Sequence, residues 1–144
     1  MARARDLERR LAKMRRRAEA RPSLHLELIG LELTEVPDWA LAEQLLTLDL
    51  HDNELCDLPP GLALLSPTLE LLDLRRNPMT KVPHVIRELT RLQELYLCRT
   101  QITHLPSWLA ELPDLRIVQC LGLDVKADEA LRDKIWPRPT SDDI

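Results

Sequence analysis

A regular spacing of leucines limits what this chain can fold into more than any other feature. Segments beginning at Ser23, Leu45, Leu69, Leu92 and Leu115 align with one another at separations of 22, 24, 23 and 23 residues. A period of that length marks a solenoid, in which each unit covers the apolar edge of its neighbour. Three segments read LLTLDLHDNELCDLP (45–59), LELLDLRRNPMTKVP (69–83) and LQELYLCRTQITHLP (92–106). SLHLELIGLELTEVP (23–37) is a fainter copy and LRIVQCLGLDV (115–125) a truncated one. Positions four, six and eleven hold Leu26, Leu28, Leu33; Leu48, Leu50, Leu55; Leu72, Leu74, Met79; Leu95, Leu97, Ile102; and Val118, Cys120, Val125. All fifteen are apolar in a chain that is 44% apolar, an outcome expected by chance roughly five times in a million for one fixed frame.

The segments carry the pattern LxxLxLxxNxLxxLP, and over residues 23–125 the chain resembles the leucine-rich repeat proteins. That resemblance implies an α/β solenoid of about five coils, with a short strand of each coil on a concave parallel sheet and a helix or turn on the convex return. The residues agree with it: inward leucines at positions four and six alternate with period two, as a half-buried strand requires. Asn53 and Asn77 at position nine are expected to satisfy backbone groups of the turn that leaves the strand, and Thr100 to keep part of that role. Leu31 and Leu123 at the same position predict irregular first and last coils. Pro37, Pro59, Pro83 and Pro106 fix φ where the return begins, and apolar residues follow at Trp39, Leu62, Leu65, Ile86, Leu89, Leu109 and Leu112. The LP variant resembles the intracellular Ras-suppressor and plant Ras-group proteins and lacks the Cys-rich caps of secreted members. A cytoplasmic location is implied.

Both ends of a solenoid need covers. In KADEALRDKIW (126–136), Ala127, Leu131 and Ile135 recur at i, i+4, i+8 before Pro137, which predicts a capping helix followed by a tail, together 126–144. Trp136 is either its last core residue or a small anchor for a partner. Residues 1–22 place Ala4, Leu7, Leu11, Met14 and Ala18 at helical intervals, with nine Lys and Arg against three acids on the other faces, a balance of +6. Residues 23–144 carry −10, so the net −4 hides a division. So few large apolar residues do not hold an isolated helix in water. The basic arm (Arg9, Arg10, Lys13, Arg15, Arg16, Arg17) therefore belongs either to a lid on the first coil or to a helix docked on RNA or an acidic protein surface. Asp6, Glu8 and Glu19 weigh against a mitochondrial presequence.

Several functional classes are excluded. Only 3 Gly occur and no glycine-rich phosphate loop. Cys56, Cys98 and Cys120 form no CxxC, so no disulfide framework or zinc site is indicated and a reducing compartment fits. No apolar run is long enough to span a membrane. On the expected concave face, Asp49, Leu71, Asp73, Arg75, Arg76, Tyr96, Arg99 and Ile117 form the candidate partner surface, since Tyr and Arg anchor interfaces. Glu27, Asp49 and Asp73 stack about 4.8 Å apart at a cost of about 0.2–1 kcal/mol per pair. Arg75 and Arg76 lie beside Asp73, whereas Glu27, Asp49 and Asp52 have no basic neighbour and suit a basic partner segment. Asp49 and Asp73 lack the enclosing walls of a catalytic pair. Cys98 and His51 are expected two strands apart, about 9.6 Å, beyond hydrogen-bond reach. His25, His51 and Asp49 fall short of a four-ligand metal cluster. No cofactor, metal or small-molecule substrate is expected. The chain is read as a non-catalytic adaptor or structural subunit of a larger intracellular assembly that binds a protein on its concave face. Alternatives are an accessory subunit of a ribonucleoprotein, contacting RNA backbone through the basic helix, and a regulator of small-GTPase signalling, the latter on resemblance alone.

Overall fold

The computed structural model describes residues 2–20, 23–42, 44–120, 131 and 134–136. Helix α1 (Ala2–Ala20) is followed by strands β1 (His25–Glu27), β2 (Thr47–Asp49), β3 (Leu71–Asp73), β4 (Glu94–Tyr96), β5 (Ile117–Gln119) and β6 (Ile135–Trp136). They form one parallel sheet in sequence order. The register matches the leucine alignment: Leu26, Leu48, Leu72, Leu95 and Val118 are successive cross-strand partners. Leu48, Leu72, Leu95 and Val118 are fully buried, and so are Leu28, Leu50, Leu74 and Leu97 two residues on. The fold is a leucine-lined solenoid, as the spacing predicts.

Proline sets each return. Pro37, Pro59, Pro83 and Pro106 have φ of −65°, −71°, −56° and −68° and open 3-10 helices at Asp38–Leu41, Pro60–Leu65, His84–Glu88 and Ser107–Glu111. In all four the proline carbonyl accepts the first bond of the turn, from Ala40, Leu62, Ile86 and Leu109. The return segments are thus short 3-10 turns, whose apolar residues sink inward: Leu62, Leu65, Ile86, Leu89, Leu109 and Leu112 are buried, with Trp39 half-buried.

The position-nine amides tie coil to coil. Asn53 Oδ1 accepts from the Leu31 and Leu33 N–H groups (3.0 and 3.1 Å), and its Nδ2 donates to the Leu28 and Leu50 carbonyls (2.7 and 2.9 Å). Asn77 repeats the scheme one coil later, accepting from Leu55 and donating to Leu50 and Leu74. Thr100 bonds only within its own coil, to the Leu97 carbonyl and the Ile102 N–H. One residue earlier, at position eight, the backbone turns left-handed: φ is 63° at Gly30, 63° at Asp52, 56° at Arg76 and 58° at Arg99. The N–H groups of Gly30, Asp52 and Arg76 there reach the next coil's carbonyls at His51, Arg75 and Cys98. The first coil turns left-handed a second time at Glu32 (φ 56°), the irregularity expected where Leu31 replaces asparagine.

Helix α1 lies on the first coil. Its half-buried residues are Leu7, Leu11, Met14 and Ala18, and the first three pack against the core. Ala4 is exposed, as is every Lys and Arg from Arg3 to Arg17. The far end departs from expectation. Ile135 and Trp136, read as the end of a helix, pair instead with Val118 and Gln119 as β6. An unpaired edge at β5 offers backbone partners, and isoleucine and tryptophan suit a strand better than a helix terminus. The Val118 N–H donates to the Lys134 carbonyl (2.6 Å), and Leu131 is helical and fully buried. The rest of the expected cap, the tail, and Leu123 and Val125 lie outside the described residues, as does the Trp136 side chain.

Candidate partner-binding face

The outward positions of the strands share one surface. Thr47, Leu71, Glu94 and Ile117 follow one another across β2–β5, and Asp49, Asp73, Tyr96 and Gln119 form the next row. A connected line of polar contacts crosses this face. His51 Nδ1 donates to Asp49 Oδ1 at 2.6 Å and lies 3.7 Å from Asp73 Oδ2. Arg75 grips Asp73 through Nε (2.9 and 3.0 Å) and Nη2 (2.6 Å). The Arg75 guanidinium lies 5.6 Å from the centre of the Tyr96 ring, and the Tyr96 hydroxyl donates to Glu94 Oε1 at 3.2 Å.

The candidate residues divide by role. Asp73 is only 4% exposed, so its carboxylate positions Arg75 and is not itself open to a partner. Arg75, and not Arg76, makes the Asp73 ion pair. Its guanidinium is held even more firmly protonated by the hydrogen bonds to that carboxylate, against a smaller opposing effect of burial. Asp49, Leu71, Tyr96 and Ile117 are half-buried. Arg76 and Arg99 stand exposed at the left-handed corner where the chain leaves the sheet. Two residues of the line, His51 and Glu94, lie outside the candidate surface expected from the sequence. His51 supplies Asp49 with the neighbour that sequence spacing alone did not assign to it.

Asp49, His51 and Asp73 bring one ligand atom each within 4.8 Å of the others, with Asp73 in place of the His25 considered above. His25 Nδ1 is instead 2.8 Å from Thr47 Oγ1. Arg75 already occupies both Asp73 oxygens, so a cation there would have to displace a bidentate guanidinium. Glu27 and Asp52 are exposed. The six residues of the basic arm are also exposed, and Arg15 bonds Glu19 at 3.0 Å along the helix.

Burial raises the pKa of two groups, Tyr96 on this face and Cys120 in the core beneath it. Tyr96, the single tyrosine, has its pKa raised above 10.0, first by burial and then by the charge of Glu94. A spectrophotometric titration of tyrosinate is expected to give a midpoint above that value in the folded chain and at it after unfolding; equal midpoints would contradict the packing. Burial pushes the Cys120 thiol up from 9.0 to about 11. The stability held by the neutral Cys120 thiol is full below pH 9.0 and lost as pH rises through about 11. At neutral pH, iodoacetamide is expected to label the exposed Cys56 at least tenfold faster than Cys120.

The family described as Leucine rich repeat matches residues 43–102. A solved leucine-rich repeat protein of Leptospira interrogans is 27% identical, with a TM-score of 0.60 over 71% of this chain. The chain folds as a leucine-rich repeat solenoid. It spans 29% of the length of that Leptospira protein, and no curated protein matches it. The family match carries no finer class. Leucine-rich repeat proteins are generally non-catalytic scaffolds that bind other proteins. Among the described residues, no helix of this one is long and apolar enough to cross a membrane.

Proposed function

We propose that the chain is a non-catalytic adaptor or structural subunit of a larger intracellular assembly, and that its concave face takes a segment of a protein partner. One observation carries this reading: Tyr96 is fixed before any partner arrives, by Arg75 over its ring and Glu94 at its hydroxyl. An ordered aromatic anchor loses little entropy on binding. Half-buried Leu71 and Ile117 supply apolar contact on either side of Glu94 in the neighbouring row. A face about 24 Å long, from five strands about 4.8 Å apart, suits a helix or extended segment. Glu27 and Asp52 favour basic side chains at one end, and Arg76 and Arg99 acidic ones at the other.

The variant Tyr96→Ala with Arg99→Ala is expected to cut recovery of partners in affinity purification at least about tenfold. Its melting temperature should stay within a few degrees of wild type. Leu64→Ala, on the convex side and 64% exposed, is the control that should retain them. Undiminished recovery with the concave variant would remove this site. RNA contact through α1 has less support, because the first two coils beside that helix are acidic. Regulation of a small GTPase, like the Ras-suppressor class itself, rests on family resemblance alone.

A further inference from the structure

Charge is divided more sharply than the balance of helix against body suggests. Between Arg21 and Arg75 there is no Lys or Arg, while eleven Asp and Glu fall in that stretch. Four of them form a block on the flank of the first two coils. Glu32 and Glu54 occupy position ten and Glu35 and Asp57 position thirteen, and all four are exposed. The Glu54 N–H donates to the Leu33 carbonyl at 2.8 Å, which holds the two coils side by side here. A shallow groove of about 500 Å³ runs along this flank, lined by Thr34–Asp38 and Cys56–Pro59. The equivalent positions hold Pro78 and Lys81 in the third coil and Gln101 and His104 in the fourth, so the acidic block ends with the second. Among the described residues, no Lys or Arg forms an ion pair with any of the four.

The opposite charge sits at the same end of the solenoid. Because Leu7, Leu11, Met14 and Ala18 turn toward the first coil, helical geometry sends Arg5, Arg9, Lys13 and Arg16 to the far side in one row. All four are exposed. Met14, Arg17, Ala18 and Ala20 line one cleft with Leu26 and Trp39 of the first coil, which places the helix against that coil. Leu24, between the cleft residues Ser23 and His25, is 54% exposed.

We propose that this end is a homodimer interface in which α1 of each copy lies along the acidic flank of the other. Adjacent patches of opposite sign are self-complementary under a two-fold axis, since the contact of basic row on acidic block is made twice. A second copy satisfies both patches. A nucleic acid would satisfy the row and be repelled by the block. A helix of 19 residues is about 28 Å long and about 10 Å wide. Two such contacts, with Leu24 added, reach the lower end of specific interfaces and give a weak, salt-sensitive dimer.

Sedimentation equilibrium of the full chain tests this. Dimers are expected at about 0.1 M salt and monomers at about 1 M, where the Debye length shrinks from about 10 to about 3 Å. A helix variant (Arg9→Glu, Lys13→Glu, Arg16→Glu) and a flank variant (Glu32→Arg, Glu35→Arg, Glu54→Arg) should each dimerise about 100-fold more weakly, with unchanged circular dichroism. Mixed one to one, the two should pair again, because each supplies the charge the other now needs. Tyr96→Ala with Arg99→Ala should dimerise like wild type, which separates this interface from the concave site. A monomeric wild type, or variants that stay apart when mixed, would overturn the proposal. So would a monomeric wild type that binds a duplex RNA oligonucleotide through the same helix residues.

Discussion

Asn53→Ala is expected to lower the free energy of unfolding by about 3–5 kcal/mol, measured as a shift in urea midpoint at constant slope. The amide serves two N–H groups of the first coil, and the carbonyls of Leu28 and Leu50 on two coils. Alanine leaves the Leu31 and Leu33 N–H groups and the Leu28 carbonyl buried and unmet, while the Leu50 carbonyl keeps its bond from Asn77, at about 1–3 kcal/mol for each unmet group before the backbone relaxes. Asn77→Ala, with three comparable bonds, should follow closely. Thr100→Ala removes two bonds within one coil and should cost about 1 kcal/mol. A flat series, with Thr100 as costly as Asn53, would mean that the amides do not bridge coils.

Leu72→Ala should have an effect of similar size, about 3–5 kcal/mol, for a different reason. Leu72 is fully buried in β3 between Leu48 and Leu95, its partners in register. A cavity there has stacked coils on both sides that cannot close it without breaking the sheet register. Domains of this size are stable by only about 5–15 kcal/mol, so this single change removes a large share. Leu64→Ala, on the 64% exposed side chain, is expected within about 0.5 kcal/mol of wild type. Thermal melts of the pair distinguish a continuous leucine spine from a surface on which position does not matter.

The spine was legible in the sequence because burial at positions four, six and eleven leaves an apolar residue in every coil. The prolines were legible because they fix φ and the chain must turn where they stand. Position eight was harder. Only Gly30, and Gly122 outside the described residues, announce a left-handed corner by residue type; Asp52 permits one, and Arg76 and Arg99 give no sign of it. At Arg76 the bond from its N–H to the Cys98 carbonyl of the next coil holds it. Strand β6 was hidden for a related reason: the spacing of Leu131 and Ile135 fits a helix, and the vacant edge of β5 that draws Ile135 into the sheet exists only after folding. On the concave face the sequence set Asp73, Arg75 and Tyr96 side by side but not the order among them. That Asp73 sinks under Arg75 while Tyr96 stays accessible depends on two-atom geometry no spacing encodes.

Cross-linking of coils by engineered cysteines tests the stacking itself, in a chain whose three native cysteines are replaced by alanine. Thr47 and Leu71 are cross-strand partners, so their Cα atoms lie about 4.8 Å apart, within the range a disulfide spans. Thr47→Cys with Leu71→Cys should oxidise nearly completely under mild conditions, and Thr47→Cys with Ile117→Cys, three strands apart, should not. Equal oxidation of the two pairs, or none in the first, would contradict a solenoid of parallel coils with one open face.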